Sequence, residues 1–513
     1  MDFPSSLYIP LFFTVLLLFL ARTKRKQVTT QNPSPKLPPG PPQLPLIGNI
    51  HNLLVGSPPH HILRNLAMKY GPLVYLKLGE VSTLIVSSPA AAKQVMKTHD
   101  LSFASRPPLL ALKNITYHYT DIVFAPYGHY WRQLRKICVV ELLNSKRVDS
   151  FRPIREEETA NLMQSIRSSS HSPVNLREKI SGFTNNVVTR AMVGRGIKDR
   201  EVFISFVAEA SKLSSGFFLA EFFPSWKFLP VVTGLKFQLE ISQRKLDRVL
   251  DRVIEERRRE RATTTDGDGS CGLDGEDLLD VLLGLQQDPT LELPITADNV
   301  KAILMDMFGA GTETSSTLLV WAMSELMKNP RVMRKAQKEA RQTLKEKAQM
   351  TEADTNQLQY LKLVIKETLR MHPPVPLLVP RECREAAVQI DGYDIPINTR
   401  VMINVWAIGR DPQYWEDPEI FRPERFEGSP IDYKGNDFEF VPFGSGRRMC
   451  PGLTLGIANV ILPFAQLLYY FDWELPGGLD GKPLDMTEDF GIVLGRKHDL
   501  CLIPVPRFPL PTL

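Results

Sequence analysis

One long apolar helix constrains the fold more than any other feature. The pattern over Thr296–Met327 predicts a single helix, which Asn329 and Pro330 end. At about 1.5 Å per residue this helix would be roughly 50 Å long, enough to cross a large domain. Apolar residues occupy most of its sides, so the helix is expected to be buried. The sequence therefore predicts a large, mainly α-helical core with smaller β-sheets, an α+β fold.

The centre of this helix departs from the pattern of the rest. Residues 309–316 read GAGTETSS, and a glycine costs about 1 kcal/mol relative to alanine in a helix interior. Gly309 and Gly311 are expected to interrupt the helix beside the carboxylate of Glu313 and the hydroxyl of Thr314. Two interpretations stay open: a functional site, or a packing arrangement in which the hydroxyls bond back to the helix.

The composition excludes several classes of protein. The chain has 513 residues, of which 43% are hydrophobic and 23% charged, as in ordinary globular proteins. A net charge of +5 is small for this length and gives no reason to expect a nucleic-acid partner. Five widely spaced cysteines without a C-x-x-C pair indicate reduced thiols rather than a disulfide framework or a zinc site. They are Cys138, Cys271, Cys383, Cys450 and Cys501.

Cys450 differs from the other four cysteines in its surroundings. It lies in the segment PFGSGRRMCPG, from Pro442 to Gly452. Glycine and proline exclude both a helix interior and a central strand here. We therefore expect a shaped loop that presents the thiol at its most tightly specified point.

The N-terminus predicts a membrane anchor. Residues 3–21 carry no charge, and four basic residues follow within 22–26. A helix needs about 17–25 residues to span a bilayer, and the length of this run is near the lower end of that range. A cleaved signal peptide is the alternative, but it should begin with basic residues, whereas only Asp2 precedes the apolar run. Because positive charge stays cytosolic, the body is expected in the cytosol and the acceptor sequence at Asn114 is expected to stay unmodified.

The rest of the chain is expected to form one body behind a spacer. Residues 22–45 are basic and proline-rich, which favours a semi-rigid linker, and residues 46–513 are expected to form one large domain. Short apolar runs around 73–88 predict two paired strands joined by a Gly-Glu turn. The charged pattern of Ser242–Ala262 predicts a surface helix. The polar segment Thr263–Asp277 predicts a mobile loop within the body.

A helix in the C-terminal third predicts a buried ion network. Glu367 and Arg370 lie three residues apart among largely apolar neighbours. A surface ion pair would contribute little to stability, but an unpaired buried charge would be costly. Arg425, in the segment FRPERF, is the candidate third member of a buried triad.

Taken together, these segments resemble the haem-thiolate monooxygenases, the cytochromes P-450. The haem-binding loop of that family, F-x-x-G-x-R-x-C-x-G, is matched in full by residues 443–452. Its oxygen-activation motif, [AG]-G-x-[DE]-T-[TS], is matched by residues 310–315. Its E-x-x-R and W-x-x-x-R helix motifs are matched at 367–370 and 131–135. The order and spacing also fit, and the resemblance covers everything after the anchor.

The resemblance implies a haem b cofactor. Cys450 would be the fifth, thiolate ligand of the iron, which favours O–O cleavage, and Phe443 would lie in the same cofactor loop. The Glu367–Arg370–Arg425 triad would hold this loop without touching substrate. Haem propionates need charged or donor partners. The candidates are Trp131, Arg135, Arg381 and Arg448.

The resemblance also implies a proton supply and an electron donor. Thr314 and Glu313 would deliver protons during oxygen activation. Because the sequence has no nucleotide-binding fingerprint, electrons from NADPH are expected through a separate flavoprotein, NADPH–cytochrome P-450 reductase. Arg132, Lys136 and Arg447 are candidates for its basic docking face, with ordinary solvated charge as the alternative. The implied location is the endoplasmic reticulum membrane, single-pass, with the catalytic domain facing the cytosol.

Segments such as WRQLRKIC and RMHPPVPLLVPREC resemble the plant microsomal A-type enzymes, above all the branch that oxidises terpenes. This implies hydroxylation of a small apolar substrate, a sesquiterpene or diterpene, with an alkaloid as the alternative. Apolar pocket candidates suit such a substrate, although they equally suit a plain core. They are Tyr117, Ile122, Leu304, Met305, Phe308, Val375, Leu378, Val379, Ile492, Val493 and Leu494. His118 is a candidate polar anchor, with an exposed loop histidine as the simpler interpretation.

Two other functions remain to be weighed. A reductase-independent haem-thiolate isomerase or dehydratase typically lacks the helix threonine, so Thr314 and Glu313 disfavour it. A non-enzymatic haem or membrane interaction protein would have no use for an oxygen-activation motif.

Overall fold

The structure is a computed structural model that describes residues 35–54, 56–197, 200–264, 277–343, 350–477 and 484–510. The predicted anchor, most of the predicted linker, Cys271 and nearly all of the loop predicted over Thr263–Asp277 lie outside the described residues.

Helices dominate the described chain. The α-helices are α1 (Ile50–Leu53), α2 (Pro59–Tyr70), α3 (Pro89–Lys93), α4 (Leu110–Ile115), α5 (His129–Ile137), α6 (Ser145–Ser150), α7 (Arg152–Arg167), α8 (Leu176–Val193), α9 (Arg200–Leu213), α10 (Leu219–Phe222), α11 (Leu229–Val232), α12 (Leu235–Thr264), α13 (Leu278–Gln286), α14 (Ala297–Lys328), α15 (Pro330–Thr343), α16 (Gln359–Met371), α17 (Val405–Ile408) and α18 (Leu453–Tyr470). Gln94–Thr98 and Cys138–Leu142 form π-helical turns, and Glu352–Gln357, Pro423–Phe426 and Gly446–Arg448 form 3-10 turns.

The strands of the described ranges form small sheets. They are β1 (Leu73–Leu78), β2 (Val81–Val86), β3 (Val174–Asn175), β4 (Arg381–Glu382), β5 (Val388–Ile390), β6 (Tyr393–Ile395), β7 (Arg400–Ile403), β8 (Phe471–Glu474), β9 (Glu488–Phe490), β10 (Leu494–Arg496) and β11 (Cys501–Pro506). One sheet has the order β1-β2-β7-β4, in which β2 and β7 are parallel and the other neighbours antiparallel. A second, antiparallel sheet has the order β3-β11-β8, and β5–β6 and β9–β10 are hairpins. The strand pair predicted around 73–88 is confirmed as β1 and β2.

The long helix α14 joins two hydrophobic cores. Apolar residues within 300–308 pack with α4, α9, α12 and α13, and apolar residues within 318–326 pack with α7, α8, α15, α16 and α18. The stretch 309–317 lies between the two, and Ala310 within it is exposed. α18 begins at the same boundary, since Leu455 packs in the first core and later residues pack in the second. This boundary is therefore where the middle of α14 meets the chain that follows Cys450.

The predicted long helix is confirmed. α14 begins at a capping box in which Thr296 and Asn299 each bond the other's backbone amide. It ends at Asn329, directly before Pro330, which cannot continue the helical hydrogen bonding.

The expected interruption of this helix is wrong. α14 is continuous through Gly309 and Gly311. The glycine at 311 instead allows a close approach, because a Cβ there would lie 3.1 Å from the side chain of Val188 on α8. Packing against α8 therefore explains this glycine, and the low helix propensity is overridden by tertiary contacts.

The proline-rich segment lies against the body. Lys36 donates its amide to Asp394 at 2.8 Å, and Tyr75 in β1 donates its amide to the carbonyl of Pro39 at 2.9 Å. A Cβ at Gly40 would lie 2.1 Å from the carbonyl oxygen of Tyr75, so only glycine fits there. Residues 36–42 of the predicted semi-rigid linker thus lie along the edge of the sheet at β1.

Two further long helices, α12 and α18, differ in their surroundings. The surface helix predicted over Ser242–Ala262 is confirmed within the longer α12. α18 is long and apolar enough to span a bilayer by length and composition, but it lies in the second hydrophobic core.

Candidate active site

The loop that carries Cys450 is tightly specified by its backbone. Gly446 has a φ of 70°, and a Cβ there would lie 2.0 Å from the carbonyl oxygen of Met96. Only glycine can adopt this conformation at so close an approach. The amide of Cys450 donates to the carbonyl of Phe443 at 3.0 Å and so closes the loop. This geometry confirms the shaped loop predicted from the sequence.

The sulfur of Cys450 has two groups beside it that favour a negative charge. The thiol is half-buried, and burial raises its pKa. A hydrogen bond from the amide of Gly452 and the nearby guanidinium of Arg135 act in the opposite direction. Because the thiolate is the form of cysteine that binds metals, these two groups suit a metal ligand.

Three buried arginines lie close to this loop. Arg106, Arg381 and Arg448 are each less than a tenth exposed. Burial and repulsion from neighbouring arginines lower the pKa values of Arg106 and Arg448. The carboxylate of Asp100 pairs with Arg381 at 3.1 Å, and Asp121 lies close to the other two arginines. The surplus of buried positive charge suits an anionic group.

Trp131 and Arg135 lie one turn apart on α5. The indole N–H of Trp131 donates to the carbonyl of Ile122 at 2.9 Å, and the guanidinium of Arg448 lies 4.1 Å from the centre of its ring. Arg135 differs, because its guanidinium donates no hydrogen bond and forms no ion pair within the described ranges. Burial lowers its pKa, while Cys450 and Cys138 act in the opposite direction. Arg135 is therefore available to a further anion.

These residues fit a haem. Ala310 is exposed in the middle of α14, and a Cβ at Gly456 on α18 would meet no atom within 4 Å. Open space therefore borders both helices near the boundary of the two cores. A sulfur donor, this space and a buried cationic cluster are what an iron porphyrin with two carboxylates requires.

Two threonines of α14 make the same local bond but differ in exposure. The hydroxyl of Thr314 donates to the carbonyl of Ala310 at 2.6 Å, and that of Thr312 donates to Phe308 at 2.7 Å. Both bond back to the helix, as the packing interpretation predicts. Thr312 is buried, whereas Thr314 is partly exposed beside the exposed Ala310. Only Thr314 of this pair therefore borders the open space.

Glu313 has a carboxyl group whose pKa lies near neutral pH. Burial raises its pKa to about 7, while a hydrogen bond with Ser211 on α9 and the charges of Arg177 and Lys212 act in the opposite direction. Asp489 adds to the increase. A group with this pKa can both hold and release a proton near neutral pH.

The predicted triad is present and buried. Arg370 forms two hydrogen bonds of 2.8 Å with the two oxygens of Glu367, and both residues are at most 1% exposed. Arg425 donates to the same carboxylate at 3.0 Å, and the amide of Arg422 donates to it at 2.8 Å. The guanidinium of Arg425 also bonds the carbonyls of Glu416, Asp417 and Ile420. The triad thus joins α16 to residues 416–425.

Aromatic rings connect this network to the cysteine loop. The guanidinium of Arg370 lies 5.4 Å from the ring centre of Trp415, and Trp415 packs on Phe426 at 5.6 Å. Phe426 contacts Phe440, which contacts Tyr433, and Tyr433 packs on Phe443 at 5.6 Å. Since Phe443 accepts the amide of Cys450, the triad reaches the loop through packed side chains.

The pocket residues predicted from sequence fall into separate groups. Leu378 and Ile492 line a narrow cavity together with Ser214, Phe217 and Phe490, which the sequence did not indicate. A small apolar cluster contains Leu109, Leu112, Tyr119, Val123, Phe124, Val379 and Ile492. The first hydrophobic core contains Tyr117, Ile122, Leu304, Met305 and Phe308. His118 is exposed, Val375 lies in the segment after α16, and Val493 and Leu494 lie at the start of β10.

Two of the three basic residues predicted on the surface lie beside one tyrosine, Tyr127. The guanidinium of Arg132 lies 5.9 Å from the ring centre of Tyr127, and Arg447 donates to its hydroxyl at 3.4 Å. Lys136 follows Arg132 by one turn on α5, and all three cations are exposed. They form a basic patch, Arg132–Lys136–Arg447, next to the cysteine loop.

Sequence reasoning missed the acids that border the arginines. Asp121 and Asp306 are both buried by their surroundings, which raises the pKa of each. A signal did exist for Asp306, because it is the one charged residue in the apolar run ILMDMF of α14. Arg106 gave no comparable signal.

Comparisons with known proteins show which family the chain belongs to. The family model "Cytochrome P450" matches residues 38–502. The chain is 52% identical over 509 residues to premnaspirodiene oxygenase of Hyoscyamus muticus, covering 99% of both chains. It is 50% identical over 511 residues to 5-epiaristolochene 1,3-dihydroxylase of Nicotiana tabacum, again covering 99% of both. A zebra fish cytochrome P450 solved with abiraterone superposes with a TM-score of 0.73 at 25% identity, covering 88% of this chain and 100% of that one.

The family model over residues 38–502, the relatives that match almost the whole chain and the shared fold lead to one conclusion: the chain belongs to the cytochrome P450 family and is a monooxygenase.

Proposed function

We propose that this enzyme hydroxylates a terpenoid, a sesquiterpene or a diterpene, with O2 and electrons from NADPH. The observation that carries the proposal is the similarity over the whole chain to enzymes named for the oxidation of premnaspirodiene and 5-epiaristolochene. The apolar lining around Leu378 and Ile492 suits a hydrocarbon skeleton. The overall reaction is RH + O2 + NADPH + H⁺ giving ROH + H2O + NADP⁺.

The chain's own residues would hold the haem from several sides. Cys450 would supply the sulfur ligand. The cations and the indole donor that would hold the haem carboxylates are Arg135, Arg381, Arg448 and Trp131. When bound, a thiolate-ligated haem activates O2 so that one oxygen atom enters a C–H bond and the other leaves as water. The triad and its aromatic contacts would hold the cysteine loop in place.

Glu313 and Thr314 would manage protons in this site. Glu313 holds a proton near neutral pH because its surroundings raise its pKa to about 7. Thr314 presents its hydroxyl at the edge of the open space, and that hydroxyl is kept oriented by the carbonyl of Ala310. A protonated carboxyl group and an oriented hydroxyl on adjacent residues can pass a proton into a buried site.

Electrons would enter through a partner. The basic patch Arg132–Lys136–Arg447 lies beside the cysteine loop and suits the acidic face of NADPH–cytochrome P-450 reductase. The apolar residues 3–21 and the basic residues after them support a single-pass anchor in the endoplasmic reticulum membrane, with the catalytic domain in the cytosol.

The proposal is tested by product formation in microsomes that contain the full chain and a reductase. Terpene hydrocarbons of three chain lengths are supplied with NADPH and isotopically labelled O2. We expect one labelled oxygen per product, and no product from the Cys450→Ser variant. Products from alkaloids alone would favour the alternative substrate class. Product formation from peroxides without NADPH would favour an isomerase or dehydratase.

A further inference from the structure

A fully buried and a partly buried carboxyl group, those of Asp121 and Asp306, meet between α14 and the loop before α5. Asp306, on α14, accepts the amides of Ile122 at 2.8 Å and Val123 at 3.3 Å. Asp121 accepts the amide of Phe124 at 2.9 Å, and its side chain is fully buried. The carboxyl groups of Asp121 and Asp306 lie within hydrogen-bond reach of each other. Residues 121–125, called the clamp loop here, are thus fixed to α14 by backbone amides.

The carbonyl groups of the clamp loop point to the cations and donors of the haem site. Ile122 accepts from the indole of Trp131 at 2.9 Å and from Arg448 at 3.3 Å. Ala125 accepts a further bond from Arg448. Val123 accepts from Arg106 at 2.9 Å. The amides of Ile122 and Val123 therefore donate to Asp306 on α14. The carbonyls of the same two residues accept from side chains near the cysteine loop.

We propose that Asp306 is a positioning residue for the haem: by sharing one proton with Asp121, it clamps loop 121–125 onto α14. The clamped loop in turn fixes the directions of Trp131 and Arg448, which flank the cysteine loop. This inference rests on haem binding at Cys450 and does not depend on which substrate is oxidised.

The shared proton follows from the geometry. Two carboxylates in contact away from water repel each other, so one of them takes up a proton and donates it to the other. In agreement, the Oδ1 atom of Asp121 is buried and has no hydrogen-bond donor among the described residues. A protonated Asp306 is the donor that this atom lacks.

Among the groups that face each other here, the Asp121–Asp306 pair is the one whose proton can respond to pH. The charged and titratable side chains facing it are Arg106, Tyr119, Tyr130, Cys138 and Arg448. Burial raises the pKa values of the two tyrosines and of the cysteine thiol, so they stay neutral, and the arginines stay charged.

The sign of the pH dependence follows from the direction of the pKa shift. Burial and mutual repulsion raise the pKa of Asp306, and burial raises that of Asp121. A carboxyl group whose folded pKa is raised contributes most at low pH, and this contribution is lost as the pH rises from the ordinary carboxyl value toward the raised one. The clamp should therefore hold best in mild acid and loosen above neutrality.

The experiment measures haem release from the full-length holoenzyme to an excess of apomyoglobin between about pH 6 and about pH 8.5. In the unaltered protein we expect release to become several-fold faster as the pH rises across this range. Asp306→Asn keeps an oxygen for the amides of the clamp loop and permanently donates to Asp121. It should release haem slowly at every pH, and Asp121→Asn should also flatten the profile. Asp306→Ala should release haem fast at every pH.

Glu221 supplies the matched control. It is buried and accepts two consecutive amides, of Leu110 and Ala111, each at 3.0 Å, but the loop it holds is not bonded to Trp131 or Arg448. Glu221→Gln should leave the pH profile of haem release unchanged. Circular dichroism and melting temperature check folding.

Several results would overturn the inference. They are a flat profile in the unaltered protein, a profile of Asp306→Asn that still follows pH, or an Asp306→Asn protein that does not fold. In each case a normal carbon-monoxide spectrum of the unaltered protein would leave the haem assignment and the proposed function standing. Absence of that spectrum would overturn both.

Discussion

The carboxylate of Glu367 accepts a hydrogen bond of 3.0 Å from Arg425, which lies 58 residues further along the chain. The same carboxylate pairs with Arg370, so a single anion neutralises two guanidinium groups in the second core. Removing it would leave two buried cations without a negative charge, bonded only to backbone carbonyls.

Glu367→Ala is therefore expected to destabilise the fold by roughly 3–5 kcal/mol, the usual cost of breaking a buried pair. Thermal melting and the ratio of haem to protein measure the effect, and both should fall. Glu416→Ala is the control, because Glu416 is 81% exposed in its pair with Arg422 and should contribute at most about 1 kcal/mol. Equal effects of the two substitutions would contradict the structural role of the triad.

Cys450→Ser is expected to abolish the thiolate-type carbon-monoxide difference spectrum. Serine keeps the size of the side chain but loses the sulfur donor, while the amide bond to Phe443 can persist. Cys501→Ser, at an exposed cysteine, should leave the spectrum intact. A thiolate spectrum that survives in Cys450→Ser would show that another residue ligates the iron.

Thr314→Val should divert electrons from product to hydrogen peroxide. Valine keeps the shape of threonine but removes the hydroxyl that borders the open space beside Ala310. Peroxide formed per NADPH consumed should rise several-fold with haem content unchanged. Thr312→Val removes an equivalent bond at a buried position and should leave coupling near its original value. If both variants behaved alike, the hydroxyl at 314 would have no special role.

Coupling of NADPH to product should fall as pH rises through about 7, because Glu313 then loses the proton it is expected to donate. Glu313→Gln should couple poorly and show little pH dependence between about pH 6 and about pH 8. Ser211→Ala removes a hydrogen bond that lowers this pKa, so its profile should move to higher pH. A Ser211→Ala profile that moves to lower pH would be incompatible with this assignment.

The sequence predicted the features that depend on local pattern. The start of α14 at Thr296, its apolar sides and the glycines of the cysteine loop all act within a few residues of chain, so their structural effects could be read directly. Even the triad followed from the cost of unpaired buried charge.

The features that the sequence left hidden arise from contacts between distant segments. The continuity of α14 through Gly311 depends on Val188, more than a hundred residues earlier, whose close packing has no local signature. Likewise, Asp121 and Asp306 acquire raised pKa values only because two remote segments bury them together. The proline-rich residues 36–42 read as a spacer because nothing in their composition reveals the strand edge that they cover.

That covering has a practical consequence for producing the enzyme in shortened form. β1 is the outer strand of its sheet, and the carbonyl of Pro39 occupies the amide of Tyr75. A protein shortened to begin at Lys36 retains this shield. One shortened to begin after Pro45 would free the amide of Tyr75 in the outer strand to pair with another molecule and favour self-association, while Asn49 would still bond Lys77 in the same strand.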